Sequence, residues 1–101
     1  MRLTFNYGVR DIFGMVRDIS SDITATVERV DKVFAYMKAH RETDGFSCLI
    51  ITNEETKEWW SFCYYMQSDV SKGLITVEHN SQMKKQVSVR EAKKIAHKLF
   101  Q

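Results

Sequence analysis

A chain of 101 residues with 44% hydrophobic and 28% charged residues has the size and balance of one folded domain, which argues against intrinsic disorder and against two separate cores. The net charge of +2 marks no strongly polyanion-directed protein, and no apolar run reaches the length that a bilayer helix needs. The first residues, Met1 to Asn6, lack the apolar core of a secretory signal, so the expected address is cytoplasmic and the expected organisation is a single α+β domain over 1–101.

Met1, Leu3, Phe5 and Tyr7 alternate with Arg2, Thr4, Asn6 and Gly8, the period of two of a half-buried strand, which predicts a first strand over 2–7 ended by Gly8. From Asp11 the period changes. Ile12, Val16, Ile19, Ile23, Val27, Val30, Phe34 and Met37 are three or four apart, as on one face of a helix, and predict helix over 10–40. Ser20, Ser21 and Asp22 interrupt that stripe with residues that favour N-caps, which leans the reading toward two helices, near 10–19 and 22–40. Gly45 is the expected stop.

Beyond Gly45 the pattern is a meander. Strands are expected over 46–53 and 58–66, joined by the polar link Glu54 to Lys57. A loop of two or four residues pairs positions that sum to 111. Ser47, Leu49 and Ile51 then oppose Tyr64, Phe62 and Trp60 on a core face. Phe46, Cys48 and Thr52 oppose Tyr65, Cys63 and Trp59 on the other. A loop over 67–73 leads to a strand over 74–79, Asn80-Ser81 reads as a turn, and Met83 to Val87 as a last short strand. Ser88 and Glu91 form a capping-box pattern that opens a final helix over 89–100, burying Val89, Ala92, Ile95, Ala96 and Leu99.

The charge is unevenly spread. Residues 82–101 hold six cations and one anion, a local +5, which leaves −3 for the rest. Lys84, Lys85, Arg90, Lys94 and Lys98 are therefore the candidate nucleic-acid contacts, with a solvated lysine-rich helix face as the plainer explanation.

Chemistry-bearing motifs are sparse. His40, His79 and His97 share no ligand spacing with Cys, Asp or Glu, so no metal and no cofactor is expected. Cys48 and Cys63 are directly opposed in the predicted ladder, close enough for a disulfide, but in a cytosolic protein the expectation is two reduced neighbours. Glu54 and Glu55 lie in a solvated loop and lack the environment that acid-base catalysis needs. The four glycines are scattered and form no phosphate-binding loop.

The predicted order of strand, helix or helices, three strands and helix resembles that of the RelE-like ribonuclease toxins. The resemblance covers element order alone, and what it implies is a small ribonuclease.

The sequence as a whole predicts an α+β fold of order β-α(α)-β-β-β-α: a three- to four-stranded antiparallel meander with a long, continuous or broken, N-terminal helical segment and a C-terminal helix. The expected function is non-catalytic binding of a protein partner, as an inhibitor or adaptor of the kind phage and mobile elements encode. The expected surface is Phe46, Trp59 and Tyr65 as anchors, flanked by Glu54 and Glu55 to steer a basic partner. Nucleic-acid binding through the C-terminal cations is the alternative, and homodimerisation through the sheet face or helical stripe a further one. No membrane partner is expected.

Overall fold

A computed structural model describes residues 3–11, 13, 15–65 and 67–101, with the backbone alone at 11, 16–22, 44, 67 and 83. The chain runs β1 (Leu3–Asp11), β2 (Val16–Thr24), α1 (Val27–Ala39), β3 (Asp44–Asn53), β4 (Trp59–Tyr64), α2 (Gln67–Ser71), β5 (Leu74–His79), β6 (Met83–Ser88) and α3 (Val89–Lys98). The strands form one antiparallel sheet in the order β2-β1-β3-β4-β5-β6. The class is α+β as expected, but the sheet has six strands and the element order differs. The order shared with RelE-like toxins, which rested on a helix directly after the first strand, is not present.

That difference arises between residues 8 and 24. Gly8 does not end β1; it lies within it, paired with Cys48 on one side and Asp18 on the other. The helix expected near 10–19 is replaced by the hairpin partner β2. The register explains the misreading. Phe5 pairs with Ile23, Tyr7 with Ser20 and Gly8 with Asp18, so β2 carries extra residues at two successive irregularities. Each bulge breaks the period of two, and apolar residues then fall three or four apart while the backbone stays extended. Met1, Ile12 and Met66, which entered the predicted strands and stripe, lie outside the described residues.

True helical spacing begins later. Thr26, in extended conformation, accepts a hydrogen bond from the Arg29 N–H through its side chain and caps α1, the role expected of Ser20 to Asp22. Val30, Val33, Phe34 and Met37 are buried along one face. The helix stops at Ala39. His40 closes it, its backbone N–H donating to the Tyr36 carbonyl and its ring stacked on the Tyr36 ring. Gly45 is not the stop but part of β3.

From β3 onward the predicted register holds. Leu49 opposes Phe62, Ile51 opposes Trp60 and Ser47 opposes Tyr64. Asn53 shapes the intervening loop, its Oδ1 accepting from the N–H groups of Glu55 and Thr56. The predicted loop over 67–73 contains the short α2. Asn80 and Ser81 turn the chain between β5 and β6 with φ of 50° and 62°. Ser88 Oγ accepts from the Glu91 N–H and caps α3, whose Ala92 and Ala96 are buried.

One face of the sheet carries the core. Phe5, Tyr7 and Val9 of β1 lie beside Ile51, Leu49 and Ser47 of β3, then Phe62 and Tyr64 of β4 and Val77 and Ile75 of β5. All three helices contribute to this one cluster, through Phe34 and Met37 of α1, Val70 of α2, and Ala92 and Ala96 of α3. Phe34 meets Phe62 edge-on at 5.8 Å, and Tyr7 meets Tyr36 edge-on at 5.7 Å. Fully burying each large side chain of this kind contributes roughly 1.5–3 kcal/mol before entropy is set against it. His97 and Asp31 tie α3 to α1, with Nε2 and Oδ1 2.6 Å apart.

Candidate functional site

All three helices pack on the Phe62 face, and among the described residues no helix covers the opposite face. Alternation along β3 places Phe46, Cys48, Ile50 and Thr52 there, and alternation along β4 places Trp59, Ser61 and Cys63 there, with Tyr65 just past the strand end. These residues form a track down the two central strands. Trp59 marks one end, half-buried Ile50 and Cys48 the middle, where Ser61 and Cys63 are themselves buried, and Phe46 with Tyr65 the other end. More polar positions border it: Thr4, Asn6 and Arg10 of β1 on one side, Thr76 and Glu78 of β5 on the other. An apolar centre with a polar rim is the anatomy of a protein interface.

The predicted anchors are therefore on one face but not in one cluster. Phe46 and Tyr65 meet with ring centroids 5.3 Å apart and a 43° tilt, and Tyr65 is 49% exposed. Trp59 is six residues from Tyr65 along the same strand direction, about 20 Å away. It is half-buried, and its backbone is held on both sides of the peptide. The Trp59 N–H donates to Asn80 Oδ1 at 2.7 Å, and its carbonyl accepts from the Asn80 N–H at 3.2 Å. Trp60, on the core face, stacks on the His79 ring at 4.1 Å, and His79 Nε2 lies 3.5 Å from Glu58 Oε2.

The acidic loop divides as well. Glu55 is exposed, but Glu54 is half-buried and structural: its Oε1 accepts from Thr4 Oγ1 at 2.7 Å and its Oε2 lies 3.3 Å from Lys57 Nζ. That pairing ties the loop to β1 and lessens the steering charge expected of Glu54.

Cys48 and Cys63 are joined in a disulfide, which corrects the expectation of reduced thiols. Facing positions of adjacent antiparallel strands bring the two sulfurs within bonding reach. Structural disulfides persist chiefly in oxidising compartments, so this bond gives the expected cytoplasmic address no support. No helix among the described residues is long and apolar enough to cross a membrane.

The C-terminal cations are split between the two sides. Arg90, Lys94 and Lys98 are exposed on successive turns of α3, and Lys85 shares the helix side of β6 through its pairing with Val77. Lys84 pairs with Glu78 on the opposite face. On an edge strand, lysines also deter pairing with a foreign strand.

Two residues with large exposed apolar side chains escaped the sequence reading: Phe13, 85% exposed, and Met15, 66% exposed, on the β1–β2 connection. A signal was present, because two runs of strand-like composition flank a short stretch with a glycine at position 14. A pocket of about 200 Å³ opens at the far end of the core face, where Leu3, Ile51, Trp60 and Leu99 meet Asn53 and Glu58. Among the described residues no group of three or more His, Cys, Asp or Glu side chains is gathered to hold a metal ion. Compared with known proteins, the chain matches no family model, no curated protein and no solved structure.

Proposed function

We propose that this chain is a small non-catalytic protein-binding module, acting as an inhibitor or adaptor, and that it binds through the face of the sheet opposite its helices. One observation carries the reading: half-buried Trp59, Ile50, Cys48 and Phe46 and exposed Tyr65 share a face that, among the described residues, no helix covers. Contiguous apolar surface bordered by polar residues marks binding sites more often than chance exposure does. Tyr65 is the principal anchor, since it combines exposure with a ring already supported by Phe46. Trp59 forms the second contact, with Glu55 beside it on the loop.

The test is affinity capture from host lysate, with and without nuclease, comparing wild type with Tyr65→Ala and Trp59→Ala. A protein recovered in the presence of nuclease and lost with Tyr65→Ala supports the module. Recovery that nuclease abolishes and neither substitution affects overturns it in favour of the cation set Lys84, Lys85, Arg90, Lys94 and Lys98.

A further inference from the structure

The disulfide lies at the centre of the open face, and its two sulfurs have unequal surroundings. Directly paired positions across that face run Gly8 of β1, Cys48 of β3, Cys63 of β4 and Thr76 of β5. Cys48 is half-buried, whereas Cys63 is 2% exposed. Beside Cys48 the row carries no side chain, because Gly8 occupies the facing position; beside Cys63 it carries that of Thr76. No positive φ calls for glycine there, since Gly8 sits in strand backbone and the extra residues of the β1–β2 irregularities fall on β2. A glycine inside a strand that the backbone does not require marks a place of close approach.

We infer that Cys48–Cys63 is a thiol–disulfide exchange site, opened at Cys48 Sγ by a dithiol reductant that arrives over Gly8. A thiolate attacks a disulfide in line with the bond, from the side away from the sulfur that leaves, at a rate set by access and by which sulfur is reached. The bond joins β3 to β4, so the line from Cys63 through Cys48 extends over β1 at Gly8, and the reverse line extends over β5 at Thr76. The first line is open; a side chain faces the second. Arg10, exposed two residues from Gly8 on the same face, places a cation near the open line, which favours thiolate over thiol in the incoming group. As the reductant's sulfur bonds to Cys48 Sγ, the Cys48–Cys63 bond breaks, and Cys63 leaves as a thiolate that takes a proton from water. The reductant's second thiol, losing its proton, then attacks the mixed disulfide, closes the reductant's own disulfide and releases Cys48, which is protonated in turn. Two electrons pass from the dithiol to the protein. The strand pairing does not depend on the bond, because the Leu49–Phe62 and Ser47–Tyr64 pairs hold β3 to β4 on either side of it. Exchange therefore proceeds in the folded protein, whether or not the face binds a partner.

The test treats protein purified without reductant with dithiothreitol, in the absence of urea, and counts released thiols by alkylation and intact mass while circular dichroism follows the fold. In parallel, brief exposure to glutathione is quenched with acid and the mixed disulfide is mapped by digestion and mass spectrometry. The expected result is two thiols per chain with the native spectrum retained, and a glutathione adduct at least about tenfold more abundant on Cys48 than on Cys63. Gly8→Val, shown folded by circular dichroism and urea unfolding, should slow native reduction at least about tenfold, while both proteins are reduced at the same rate in urea. Thiol release only in urea, or loss of the native spectrum on reduction, overturns the inference. An adduct on Cys63, or on both sulfurs equally, overturns it as well, and this mapping decides alone if Gly8→Val does not fold. Native reduction of a folded Gly8→Val at the wild-type rate overturns the approach over Gly8.

Discussion

Phe46 and Tyr65 hold their rings 5.3 Å apart at the opposite end of the open sheet face from Trp59, whose backbone is pinned to Asn80. The two ends are joined by one rigid pair of strands, so they act on a partner as two fixed points about 20 Å apart. Tyr65→Ala is expected to weaken partner binding by about 2 kcal/mol or more, as for a supported interface tyrosine, and Trp59→Ala by less, because that indole is already half-buried in the free protein. Titration calorimetry on the captured partner checks the ranking. Equal losses would mean that the two ends contribute alike.

Redox state is directly measurable. Denatured protein purified without reductant should show no reactive thiol, and two after reduction. With 15 residues of sequence separation, opening the bond should lower stability by at most about 3 kcal/mol, read as a shift in urea midpoint. Two thiols reacting before reduction would contradict the disulfide.

One pair of buried hydroxyls links two core strands. Ser47 Oγ donates to the Tyr7 hydroxyl between β3 and β1, with both residues buried in the core. Ser47→Ala and Tyr7→Phe should each cost about 1–3 kcal/mol, since either breaks a hydrogen bond between two desolvated hydroxyls. The double variant should cost less than the two together, a coupling that urea unfolding of all four proteins measures. Additive costs would show that the hydroxyls do not depend on one another.

Ser81 holds a φ of 62° in the β5–β6 turn, directly after Asn80 at 50°. Two consecutive positive φ values favour Asn-Gly, because glycine avoids the clash of a Cβ with its own carbonyl. Ser81→Gly should therefore stabilise the protein by about 1 kcal/mol and raise the melting temperature by roughly 4–8 °C. Calorimetry showing no rise would mean that the turn carries no such strain.

Much of the fold was legible where local chemistry and long-range pairing agree. The loop Glu54 to Lys57 set the β3–β4 register, and the fall of Leu49, Phe62, Ile51 and Trp60 on one face followed from a period of two. Ser88 and Glu91 located the start of α3, and Ala92 and Ala96 its buried stripe. The same alternation assigned Phe46, Trp59 and Tyr65 to the second face. Tertiary structure decided the rest. Bulges in the β1–β2 pairing gave β2 a helix-like spacing, and only its neighbour strand makes that segment extended. Placement of Phe13 and Met15 on an exposed tip follows from that hairpin. Whether the second face is covered depends on which way the connections carry α1, α2 and α3 across the sheet. α1 and α3 each have an apolar face that would serve either side, and it is the packing of Phe34 on Phe62 and of Tyr36 on Tyr7 that commits α1 to the Phe62 side.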